Sequence, residues 1–199
     1  MTGHIHKHLR SIRSRVVFAL LECLSFRSAI FFALLLTGTS IASQNALKEG
    51  EAKGLLLYNF AKFTTWPSQA FTGDHSPLIV GVIGPNPFGN ILNDIKGKKV
   101  KGRKIEVRHF DTPRDYSKSH ILFCNVRSAR ALKDLIEELD LEAQHVLTVG
   151  DFSDFALNGG VIGLTFSGNR LALEINQKAA KRAKIYLSEN LVRLAKRVY

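Results

Sequence analysis

Leu78-Ile79-Val80-Gly81-Val82-Ile83 (residues 78–83) is apolar at every position and bounded by turn formers, Ser76-Pro77 before it and Gly84-Pro85 after it. A strand with one face in water alternates apolar and polar side chains. A strand without a polar face is covered on both sides, as in a parallel sheet lying under helices. Upstream, Ala52, Leu56, Phe60 and Phe63 recur at helical spacing, so a helix is expected over 44–63, weakened by about 1 kcal/mol at each of Gly50 and Gly54. Trp66-Pro67 ends it, because proline disfavours a helical residue before it. Downstream, a turn at 84–89 leads into a short helix over 88–95. Residues 96–104 carry six lysines or arginines in nine positions and read as a solvated turn. They enter a strand at 104–110, where Ile105, Val107 and His109 alternate with charged residues, as on a half-exposed or edge strand.

The rest of the chain repeats the strand–helix rhythm. Strands are expected at 120–126 and 145–149. Ser128 is a natural N-cap for the helix between them, whose apolar face is Leu132, Leu135, Ile136 and Leu139. Asp151 or Ser153 is expected to cap a short helix ending at Asn158-Gly159-Gly160. Residues 161–166 and 170–175 read as a β-hairpin, Asn176 as the cap of a helix through Arg182, and Ser188 as the start of a last helix. That helix would carry Leu191, Leu194, Ala195 and Val198 on one side and Arg193, Lys196 and Arg197 on the other. The fold class is therefore α/β: a layered sandwich with a mostly parallel sheet of about five to six strands flanked by helices, with one antiparallel hairpin.

The first 42 residues have a different character. Lys7, Arg10, Arg13, Arg15 and Arg27 precede an apolar run from Ala29 to Leu36, and Ser40-Ile41-Ala42 presents small residues to a signal peptidase. This reads as a signal peptide over 1–42 cleaved after Ala42, with the domain at 43–199 in the periplasm. The competing reading is an uncleaved amphipathic anchor. The apolar run is far shorter than the ~20 residues that span a bilayer. Removing 42 of the 199 residues leaves 157, one domain's worth, with 23 basic and 16 acidic residues. No aromatic-plus-basic recognition motif accompanies this charge, so no nucleic acid is expected. Cys23 departs with the signal and leaves Cys124 alone in an apolar run, where a thiol acts as a small hydrophobe.

Motifs for chemistry are weak. His4, His6 and His8 fall in the signal, and His109, His120 and His145 lie on separate expected strands, so no metal or other cofactor is expected. The turn Gly84-Pro85-Asn86-Pro87-Phe88-Gly89 sits where a phosphate loop would, but its two prolines lack the N–H groups a phosphate needs. Asp151 and Asp154 read better as helix-start residues than as an acid–base pair. No catalytic residue is assigned. Trp66, beside Pro67, is a candidate half-exposed anchor for a partner. Lys101 and Arg103 of the basic turn, and Arg193, Lys196 and Arg197 of the last helix, are further candidate contacts.

Tyr58-Asn59-Phe60-Ala61-Lys62-Phe63 followed by Trp66-Pro67 resembles the opening signature of the YfiR-like periplasmic proteins. The likeness continues through residues 78–89, then Val146-Leu147-Thr148-Val149 with Asp151 and Phe155, then Gly159-Gly160-Val161-Ile162, and Leu173-Glu174-Ile175-Asn176 with Ala179-Ala180. It covers about residues 46–198. The resemblance implies a compact α/β protein that is not an enzyme. It implies an inner-membrane diguanylate cyclase of the YfiN type as partner, repressed through its periplasmic sensor domain, and an outer-membrane lipoprotein of the YfiB type that draws the inhibitor away. Homodimers are common among the relatives. The signature positions Tyr58, Asn59, Phe60, Lys62, Phe63, Trp66, Pro67, Asp151, Gly159, Gly160, Glu174 and Asn176 are carried over as fold determinants. Some relatives have paired cysteines that respond to redox state; a lone Cys124 cannot do so internally. The alternative is a periplasmic small-ligand binding module serving a transporter or sensor kinase.

Overall fold

The computed structural model describes residues 50–167 and 170–199. The signal segment, cleavage after Ala42, the three early histidines and the expected helix start at 44 lie outside the described residues. In chain order the elements are a helix α1 (residues 50–63), β1 (Thr64–Thr65), β2 (Leu78–Ile83), α2 (Ile91–Ile95), β3 (Lys99–Val100), β4 (Arg103–Phe110), β5 (Ile121–Cys124), α3 (Ala129–Glu138), β6 (Leu147–Gly150), β7 (Ile162–Ser167), β8 (Arg170–Ile175), α4 (Gln177–Arg182), β9 (Tyr186–Leu187), α5 (Glu189–Arg193) and β10 (Ala195–Val198). Eight strands form one sheet in the order β10-β8-β7-β6-β5-β2-β4-β3, and β1 pairs separately with β9. The sheet is mostly parallel, with antiparallel pairing only at β7–β8 and β3–β4.

The apolar run at 78–83 is a central strand. All six of its residues are buried, and Val80 lies opposite Val107 of β4 on one side and Ile121 of β5 on the other. Its alternation divides the core. Leu78, Val80 and Val82 join Leu57, Phe60, Phe88 and Phe123 on one face of the sheet. Ile83, with Leu122, Cys124, Phe110, Leu132 and Phe155, fills the other. Each fully buried side chain of this size contributes about 1.5–3 kcal/mol. Cys124 lies within this core, and burial pushes its thiol pKa up.

Three expected elements differ. α1 buries Lys53, Gly54, Leu57, Phe60 and Ala61; Ala52 is exposed, and Leu56 and Phe63 are half-buried. The helix lies so close to the loop after β2 that a Cβ on Gly50 would sit 2.1 Å from the Pro87 carbonyl oxygen, and one on Gly54 2.2 Å from Ile91 Cγ2. The two glycines that weaken the helix are thus what lets it dock.

The second difference is at 151–159, which forms successive turns instead of a helix, with Asp154 at φ +62°. Asp151 pairs with Lys53 across the structure and caps nothing.

The third is the C-terminus. Its helix stops at Arg193, and residues 195–198 run parallel to β8 as an edge strand, so Lys196 and Arg197 sit on a strand. Glu174 accounts for this. Its carboxylate is 1% exposed, and the Arg197 guanidinium lies 2.5 Å from Oε1, while the Tyr199 hydroxyl donates to Oε2 at 3.4 Å. A helix through 198 would carry both partners away from a buried charge, whose desolvation costs several kcal/mol. With β3 and β10 added at its two edges, the sheet is wider than the five to six strands expected.

Arg197→Ala should therefore lower unfolding stability by about 2 kcal/mol, because it strands the Glu174 charge, although the half-exposed guanidinium holds the loss below that of a fully buried pair. Glu174→Gln removes the charge with the shape retained and should cost about half as much or less. Urea titrations followed by circular dichroism check the order of the two.

Candidate functional site

Strands β2, β5 and β6 are parallel neighbours, so the loops that follow them gather at one end of the sheet. β2 leads to β4 on one side, and the chain then crosses to β5 on the other. The connections therefore part between β2 and β5, the place where open α/β sheets form a crevice beyond their strand ends. A cleft of about 760 Å³ opens there, lined by Lys53 of α1, Pro87 after β2, residues 125–129 after β5, Asp151–Ser153 after β6, and Asn158.

At its base Lys53 Nζ donates to Asp151 Oδ2 at 2.6 Å, with Lys53 only 7% exposed. Asn125 Nδ2 donates to the Pro85 carbonyl and clamps the loops after β2 and β5 together. Ser128 accepts the Ala131 N–H as the expected N-cap of α3. Arg127 stands exposed at the rim. The arrangement is a polar crevice with one half-buried ion pair, suited to holding a charged group by complementary charges. Among the described residues no three His, Cys, Asp or Glu side chains gather as metal ligands.

A second groove, about 470 Å³ and mainly apolar, is lined by Trp66, Pro67, Ala180, Lys181, Lys184 and residues 185–187. Trp66, expected half-exposed, is buried at 8%. Its indole Nε1–H donates to the His120 backbone oxygen at 3.2 Å, so it serves the fold.

The other signature positions are placed as follows. Phe60 is buried and Asn59 half-buried; exposed Lys62 lies over the half-buried Tyr58 ring at 4.1 Å. Gly159 takes φ +108°, whereas Gly160, with Gly150, makes room for the Phe155 ring: a Cβ there would lie 2.0 Å from it. Asn176 is the expected cap of α4, accepting from Ala179 N, and its Nδ2 also holds the Ala156 carbonyl. The candidate contacts divide. Lys101 lies in the β3–β4 turn and Arg103 just after it, whereas Arg193 ends α5 and Lys196 and Arg197 lie on β10, the strand at the far end of the sheet. Lys101 and Arg103 also work internally. Lys101 Nζ donates to the Thr64 carbonyl and Thr65 Oγ1, and Arg103 donates to the Gly73 and Ser76 carbonyls.

Lys53 and His120 carry roles that sequence reasoning missed. The stripe Gly50, Lys53, Gly54, Leu57 at helical spacing was the signal for the first; nothing local marked the second. His120 is 2% exposed, edge-on to Trp66 and stacked on Phe71 at 4.5 Å. Its Nδ1 accepts the Ile79 N–H at 2.9 Å, and its Nε2 donates to the Ala70 carbonyl at 3.1 Å. Burial, reinforced by the charge of Lys118, holds its pKa down at about 4.

A folded-state pKa below the ordinary 6.5 means that the unfolded chain binds the extra proton first. Stability is therefore full above pH 6.5 and falls as the pH drops towards 4, by about 3 kcal/mol from this group. His120→Gln, which can still accept the Ile79 N–H, should flatten that part of the pH profile of the urea midpoint.

Set beside known proteins, the chain matches the model of the YfiR/HmsC-like family over residues 51–196. No curated protein matches it. Among solved structures it is similar to a conserved domain protein from Vibrio cholerae, at 14% identity and a TM-score of 0.47, over 61% of this chain and 55% of that one. The chain thus spans about half the length of that structure. The family match runs from the start of α1 into β10 and takes in the buried Phe60, the Lys53–Asp151 pair and the capping Asn176, so the chain belongs to the YfiR/HmsC-like family.

Proposed function

We propose that this protein is a periplasmic repressor of a membrane-bound diguanylate cyclase, acting through the cyclase's periplasmic sensor domain and so lowering cyclic-di-GMP. The observation that carries this reading is membership of the YfiR/HmsC-like family across nearly the whole described fold. Family membership supports a periplasmic regulator of cyclic-di-GMP signalling; the sensor domain as target, release by an outer-membrane lipoprotein, and a homodimer are parts of the proposal. No helix of the described residues is long and apolar enough to cross a membrane.

Repression of this kind works by preference. To turn a sensor domain from 99:1 active to 1:99, the repressor must bind the inactive form about 5.5 kcal/mol more tightly. A second reading, a small-ligand binding module serving a transporter or sensor kinase, draws on the crevice of about 760 Å³ around Lys53 and Asp151. It predicts a ligand-dependent rise in melting temperature in a metabolite screen.

Deleting the gene should raise cellular cyclic-di-GMP, and supplying the wild-type chain should restore it. An unchanged level on deletion would refute the repressor reading. The same strain tests localisation: the chain should appear in the osmotic-shock fraction with Ser43 at its N-terminus.

A further inference from the structure

The β3–β4 hairpin and the end of α1 gather exposed lysines, one pair of which folding alone does not favour. In the hairpin, Lys99 lies directly opposite Lys104. Like charges facing each other across two strands destabilise them. Nearby, Lys62 lies 4.1 Å and Lys98 5.6 Å from the centroid of the same Tyr58 ring, so two ammonium groups approach one aromatic ring. Lys62, Lys96, Lys98, Lys99 and Lys104 are all exposed. None of them is within ion-pair distance of a carboxylate of the described residues. Some charges elsewhere are paired, at Arg108–Glu106, Arg130–Asp134, Lys133–Glu137 and Arg182–Glu142, but this face gathers five unpaired lysines together. Five exposed lysines on one face, two of them directly opposed across the hairpin, make a positive patch that an external anion would complete.

The kind of cation and its neighbours indicate which anion. All five are lysines, compact charges on flexible stems, whereas protein interfaces favour the planar arginine fork and are poor in lysine. A layer of lipid headgroups moves laterally and asks for charge density more than geometry. Leu55, 47% exposed, lies on the same side of α1 as Tyr58 and Lys62, at i, i+3 and i+7. It adds an apolar residue beside an amphipathic ring, the combination that settles at a membrane–water boundary.

We propose that this face docks the protein onto an anionic phospholipid surface, with Lys62, Lys96, Lys98, Lys99 and Lys104 as the headgroup contacts. Lysines at a sheet edge also discourage edge-to-edge pairing, and the test below separates that role. The docking requires no cyclase, so it stands or falls apart from the repressor reading.

The experiment is sedimentation of the protein, purified from its own host, with vesicles of 30 mol% phosphatidylglycerol in phosphatidylcholine against pure phosphatidylcholine. At 20 mM NaCl partitioning to the anionic vesicles should be at least about tenfold stronger, and it should vanish at 500 mM NaCl, where the screening length shrinks to about 4 Å. Each lysine lost removes about fivefold, so the K98E/K99E variant should lose at least about twentyfold. Lys99→Glu should at the same time raise the melting temperature, because it turns the Lys99–Lys104 repulsion into an attraction; a variant that is more stable yet binds worse cannot owe its loss to misfolding.

Equal partitioning to both vesicle types, or none, overturns the proposal, as does a K98E/K99E variant that binds like wild type while self-associating. Capture on polyglutamate beads without capture by the anionic vesicles would assign the face to an acidic macromolecule and overturn the lipid docking.

Discussion

Two-sided burial of β2 is the constraint on which the rest of the structure depends. A strand with no polar face needs a hydrogen-bonded neighbour at each edge and a packed layer on each face. β4 and β5 supply the edges. α1 and α2 cover one face through Leu57, Phe60, Leu92 and Ile95, and α3 covers the other through Leu132 and Leu135. Parallel neighbours on both sides force the following loops to the same end of the sheet, so the crevice around Asp151 and the docking of α1 against Pro87 follow from the same demand.

Within this apolar frame a few polar groups fix what hydrophobicity leaves loose. Lys53–Asp151 ties the first helix to the loop after β6, across 98 positions of chain. His120 joins the segments at Ala70 and Ile79 through its two ring nitrogens, and Asn176 joins the start of α4 to the carbonyl of Ala156. Each bridges elements distant in sequence. A buried polar group is costly unless satisfied, so each also penalises arrangements in which its partner is elsewhere.

These long-range polar contacts mark the limit of what the sequence showed. The central strand, the Ser128 and Asn176 caps, the hairpin at 162–175 and the buried Cys124 were legible because each is a local pattern. The face of α1 was misjudged because apolar periodicity passes over Gly50, Lys53 and Gly54, whose value lies in close approach and in a partner far along the chain. Asp151 looked like a cap for the same reason. The last strand looked helical because Leu191, Leu194, Ala195 and Val198 keep helical spacing; the pull of Glu174, more than twenty residues earlier, overrides it. At the crevice Asp151 was singled out and Lys53 was not, since only the fold brings them together. Trp66 seemed available at the surface because nothing in the sequence shows that His120 lies behind it.

The Glu174 arrangement also couples two requirements of the sheet edge. Arg197 and Tyr199 satisfy the Glu174 carboxylate, and the same stretch of chain pairs with the edge of β8. Loss of residues 195–199 would open that edge and leave the buried charge without partners in a single step. β10 is therefore a latch in which backbone pairing and charge neutralisation open and close together.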